Sequence, residues 1–132
     1  MRRIHLAWGI LVLVAFAVSG QLMLRHVPPM RLLGDDVRLM YRSRHIYLLG
    51  SGIANVLLGL YVVPRRVLWQ RGMQYAGSLL LLAAPLLLGL AFVTETGHGL
   101  NRTWRSTRGL QAMVGGTLLH FIAAVRRRDA GE

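Results

Sequence analysis

The chain has 132 residues, 54% of them hydrophobic, and its formal net charge of +11 comes from sixteen arginines, no lysine and five acidic residues. It has no cysteine, which excludes disulfides, thiolate metal sites, iron–sulfur clusters and covalently attached c-type haem. The apolar residues fall in four blocks, and a soluble domain of this size has too little polar surface to cover four such helices, so the pattern points to a polytopic membrane protein.

The first block predicts a helix over 4–24. Met1-Arg2-Arg3 and Ala17-Val18-Ser19 give it the outline of a signal peptide, but the run continues through Leu22, Met23 and Leu24, long enough to span. Pro28 and Pro29 stop it, since proline lacks the N–H and biases its predecessor away from helix. Gly34 and then Asp35 or Asp36 read as the next helix start, with a carboxylate as cap. An amphipathic interfacial lead-in over 36–44 sets Val37, Met40 and Tyr41 against Arg38, Arg42 and Arg44, and feeds a spanning segment over 45–63 that ends at Pro64. The third span covers 73–94, with Trp69 placed for an interfacial belt and Pro85 expected to kink the helix. A polar connection separates it from the fourth span, 109–125. Short connections favour antiparallel neighbours, so the expected fold is an all-α, four-transmembrane-helix antiparallel bundle forming one domain.

The arginines lie at the ends of these blocks, where guanidinium reaches lipid phosphate while its stem lies along apolar surface. Membrane lipids are therefore the expected partners, and nucleic acid is not. Lysine-free usage suggests a GC-rich genome, and the expected location is a bacterial inner membrane. The sixteen arginines divide evenly between the two sides of a four-span topology, and both termini are expected in the cytoplasm.

Four crossings sort the histidines whatever the orientation. His5 and His120 share the side of the termini, while His26, His45 and His98 belong to the other. His5, Gly9, Val12, Phe16 and Gly20 form one helical stripe, and Met113, Gly116 and His120 another. Glycine one turn from each histidine leaves room for a flat macrocycle or for close helix packing.

The stretch RIHLAWGILVLVAFAVSGQLM resembles the first helix of the transmembrane cytochrome b subunits, which begins with a basic residue and histidine and closes on a small residue and glycine. His5 and Ser19-Gly20 stand in the matching places. The resemblance implies a haem b held between His5 and a histidine on a later helix, which is His120. Leu6 stands where the family often has tryptophan, and helix four has no second histidine one membrane depth earlier, a departure from the two-haem pattern.

On the opposite side, Arg42, Arg44, His45, Ser51 and Asn55 form the rim of a candidate pocket for a quinone or lipid headgroup. Gln74, Ser78, Leu81, Pro85 and Gly89 share a stripe on helix three, and Asn55 and Ser78 should face inward because hydrocarbon offers no partner. No P-loop, GxSxG, HExxH or paired-carboxylate motif is present, and no catalytic residue or metal ligand set is assigned. The expected role is an accessory or interaction subunit docking on lipid, a larger membrane complex or a second copy. The alternatives are a b-type haem electron-transfer protein and a quinone- or lipid-binding subunit.

Overall fold

The computed structural model describes residues 1–97 and 103–124. It contains four long helices: α1 (Arg2–Leu24), α2 (Asp35–Tyr61), α3 (Leu68–Thr94) and α4 (Trp104–Ala124). A 3-10 turn, Met30–Leu32, lies between α1 and α2, and no strand occurs among the described residues. The fold is all-α. Helices α1 and α3 are long and apolar enough to cross a membrane.

The boundaries depart from the sequence pattern in instructive ways. α2 runs without a break through the predicted lead-in, because the polar face of 36–44 continues the same helical register as the apolar run beyond it. Its N-cap is Gly34, and no carboxylate makes a capping hydrogen bond. Asp35 and Asp36 instead sit in the first turn, where negative charge complements the helix dipole, and Asp35 pairs with Arg38. α3 begins more than a turn before residue 73. Within it, the Gln74 amide accepts the Arg65 N–H (3.0 Å) and donates to the Val63 carbonyl (2.9 Å), tying the α2–α3 linker to the helix. α4 likewise starts at Trp104 rather than near 109.

The helices form two hairpins. α1 packs along α2 and α3 along α4, and the hairpins meet mainly where α2 faces α3. Missing side chains set both close approaches. A methyl group added at Gly59 would lie 2.6 Å from the Leu6 backbone nitrogen, and one at Gly77 would lie 2.8 Å from the Gly116 carbonyl oxygen. The apolar core on the seam is small, consisting of Val12, Leu48, Leu88 and Phe92 with Trp8, Phe16, Tyr41 and Leu110 packed around it.

Polarity is distributed the reverse of a soluble domain. Among the described residues, ten buried side chains are polar or charged against nine apolar, while thirty-one large apolar side chains are exposed. On α1 the buried residues are His5, Gly9, Val12 and Ser19; Ile10, Leu11, Val14, Val18 and Leu22 all point outward.

Candidate functional site: two polar clusters at opposite ends of the bundle

At the end where α1 begins and α4 finishes, a neutral hydrogen-bond network crosses three helices. Its origin is Pro85. Proline has no N–H, so within α3 the carbonyl of Leu81, four residues earlier, lacks its helical donor. Asn55 of α2 supplies one. Its Nδ2 donates to the Leu81 carbonyl at 2.9 Å and to the Ser51 carbonyl at 2.9 Å. With both amide hydrogens committed, Asn55 Oδ1 can only accept, and it accepts from His5 Nδ1 at 2.7 Å. That bond places a proton on Nδ1. His5 Nε2 is buried and without a hydrogen-bond partner, on a residue 1% exposed. Trp8 adds a further stitch to α3, its indole N–H donating to the Leu82 carbonyl at 3.0 Å.

His120 of α4 approaches the same place. Its ring meets that of His5 edge to face with centroids 6.5 Å apart, and its Nε2 is hydrogen-bonded to Ser78 Oγ at 3.1 Å. The pairing of depths expected from the crossing argument is therefore present in the geometry. The haem that the resemblance implied fares differently. His120 lines two cavities, of about 490 and about 420 Å³, and His5 lines neither. The α3–α4 contact at Gly77 brings His120 Cδ2 within 2.9 Å of where a methyl would stand, and Nε2 of His120 is taken by Ser78. With Nε2 of His120 bonded to Ser78, the side chain as it stands does not offer that nitrogen to a haem shared with His5.

The opposite end holds a charged cluster. Arg44 of α2 and Glu95, just past the end of α3, form a buried ion pair at 3.0 Å, each side chain 2% exposed. Glu95 Oε2 also accepts from Ser106 Oγ (2.7 Å) and the Ser106 N–H (3.3 Å), and Oε1 accepts from the Arg105 N–H (2.6 Å). Those two N–H groups belong to the first turn of α4, where helix donors lack intrahelical acceptors. Glu95 thus caps α4 from just past the end of α3, and this cap holds the early first turn of α4. Arg44 further donates to Ser106 Oγ (3.1 Å) and to the Met40 carbonyl (3.3 Å). Burial pushes the Glu95 carboxyl up, but the bonds from Ser106, Arg105 and Arg44 outweigh it and hold the group below its ordinary value of 4.5.

The five residues of the candidate pocket rim do not converge. Arg42 is exposed. Arg44 is held in the Glu95 cluster, and Asn55 lies in the His5 network at the other end. Ser51 donates to the Leu48 carbonyl at 2.9 Å. His45 turns toward α1, stacking on Phe16 with centroids 4.1 Å apart and meeting Ser19 Oγ at 2.8 Å. Ser19 gives its own hydrogen to the Phe16 carbonyl, so His45 Nδ1 is the donor in that pair. The stripe 44, 48, 51, 55 is indeed the buried face of α2. A stripe of that length, however, covers about 16 Å along a helix axis, so it joins different depths rather than one pocket. His26 bonds Tyr41 Oη at 3.1 Å, and His98 lies outside the described residues.

Sequence reasoning missed Glu95. Its available signal was an acidic residue closing α3 in a chain with only five, ahead of a helix whose N-terminus lacked an acidic first turn. No family model, curated protein or solved structure matches the chain.

Proposed function

We propose that this chain is a four-span integral protein of the bacterial inner membrane, acting as a non-catalytic accessory or interaction subunit. The observation that carries the reading is the inverted polarity of the bundle, with apolar side chains outside and hydrogen-bonded polar ones inside. Exposing such a surface to water would oppose folding, whereas lipid tails accept it without cost. α2 and α4 carry too much polarity to qualify as spans by composition, yet Arg44, Ser51 and Asn55 of α2 and Ser106 of α4 are buried. The outward residues are Ile46, Ile53, Leu57 and Leu60 on α2, and Val114, Leu118, Phe121 and Ile122 on α4. His5, Asn55, Ser78, Arg44 and Glu95 join helices to one another, which leaves the outer faces for work on lipid, a larger complex or a second copy.

Alkaline carbonate extraction and flotation test membrane integration, and release into the soluble fraction would overturn it. Mild-detergent isolation from native membranes tests the accessory role. Co-migration with a larger assembly or with a second copy is expected, and recovery solely as a monomer would count against it.

A further inference from the structure

The two cavities beside His120 share a wall and differ sharply in character. The one of about 420 Å³ sits at the terminal end of the bundle, lined by Arg2, Arg3, Arg71, Tyr75 and Ser78 among others. The one of about 490 Å³ opens between α2, α3 and α4, lined by Ala54, Leu57, Leu58, Leu81 and Thr117 among others. Val62, Gln74 and His120 belong to both, so the cavities are contiguous. The groove exists because the glycine contact at Gly77 and Gly116 draws α4 onto α3 and away from α2.

The basic cavity is ordered at two of its three arginines. Arg2 donates through Nη2 to the Leu60 carbonyl (2.6 Å) and through Nε to the Gly59 carbonyl (3.4 Å), which fixes its guanidinium against the end of α2. Arg71 lies 6.0 Å over the Tyr75 ring. No aspartate or glutamate lines either cavity. Three guanidiniums around a space without a carboxylate select an anion, and planar forked donors suit phosphate oxygens. The contiguous groove is lined mostly by apolar side chains, Ala54, Leu57, Leu58 and Leu81 among them, alongside Arg65, Gln74 and His120, and its apolar stretch suits a hydrocarbon chain. A zwitterionic lipid would bring a cationic head with no carboxylate to meet it, and a soluble anion would leave the groove unused.

We propose that these contiguous cavities bind one anionic phospholipid, its phosphate among Arg2, Arg3 and Arg71 and an acyl chain in the groove between α2, α3 and α4. The assignment rests on the membrane reading above and adds a defined lipid to it.

The test uses the full chain, delipidated in detergent and titrated with dioleoyl phosphatidylglycerol or dioleoyl phosphatidylcholine under native mass spectrometry. One phosphatidylglycerol should bind in clear preference to phosphatidylcholine. Arg3→Gln with Arg71→Gln should weaken it about 30-fold, on the roughly fivefold that one arginine contributes near an anionic lipid surface. Arg2 is left intact because it holds the end of α2. Arg31→Gln with Arg42→Gln makes the same charge change at the far end and should leave binding unchanged. Thr117→Phe, which fills the groove, should weaken phosphatidylglycerol binding with the arginines in place. Equal affinity for the two lipids, equal loss in both double variants, or displacement of the lipid by excess inorganic phosphate would each overturn the proposal. Carbonate-resistant protein without lipid preference would overturn this site while leaving the membrane reading intact; carbonate-released protein would remove both.

Discussion

The two ends of the bundle solve the same problem with different chemistry. Each must satisfy backbone groups that a helix leaves open away from water. At the His5 end the open group is a carbonyl, created in mid-helix by Pro85, and a neutral amide answers it. At the Arg44 end the open groups are the first N–H donors of α4, and a carboxylate answers them, which then requires its own counter-charge. A neutral network that loses one member leaves dipoles unpaired; a charged one leaves an ion. The second loss is much the larger.

The sharpest way to break the comparison is at the charged end. Arg44→Met strands Glu95 as a buried carboxylate and should destabilise the fold by about 3–5 kcal/mol, read from thermal unfolding in detergent. Adding Glu95→Gln to that variant should recover much of the loss, because no buried ion remains and the amide oxygen still accepts one of the two first-turn N–H groups. If the double variant is no better than the single one, charge is not what distinguishes the two ends. Next in size is the packing that holds each hairpin. Gly59→Leu drives a side chain into the Leu6 backbone and should cost about 1–3 kcal/mol by the same measurement.

The neutral end should respond less. Asn55→Leu unpairs the Leu81 carbonyl and His5 together, for a loss of about 1–2 kcal/mol, since interhelical hydrogen bonds in membranes are individually modest. Pro85→Ala in that background restores an N–H to α3 and should recover part of the loss. Equal damage with or without proline would sever the proposed link between Pro85 and Asn55. The smallest effect concerns acidity. Glu95 titrates lower in the folded chain than its ordinary 4.5, so its contribution is complete above that value and is lost as pH falls through the lowered folded one. Unfolding midpoints measured across that acid range should decline for the native chain, and the part of the slope due to Glu95 should vanish in Glu95→Gln.

Much of this architecture is written in the pattern of polar residues. The inward positions of Asn55 and Ser78 are those expected of polar groups on largely apolar helices, and both are buried. The meeting of His5 and His120 follows from the antiparallel arrangement, because height in the bundle is set by distance from the helix ends. What pairs with what was harder to read. Asn55 reaches across to a carbonyl freed by a proline thirty residues later in the chain, a match that needs the rotation of α3 about its axis. Arg44 and Glu95 are each unremarkable beside polar neighbours in sequence, and their pairing depends on α2 and α3 meeting at that height. Helix composition shows the same division: it picks out α1 and α3 as long and apolar enough to cross a membrane, while the exposed apolar residues of α2 and α4 emerge only from the packing.

The seam between the hairpins has a consequence for assembly. α1–α2 and α3–α4 each have their own tight glycine contact, and the recognition between them is concentrated in Asn55 with Leu81 and in Arg44 with Glu95 and Ser106. The halves therefore carry matching addresses as well as matching shapes. A chain divided within the linker at 65–67 and expressed as two polypeptides should reassemble, and mispairing either address should keep the halves apart.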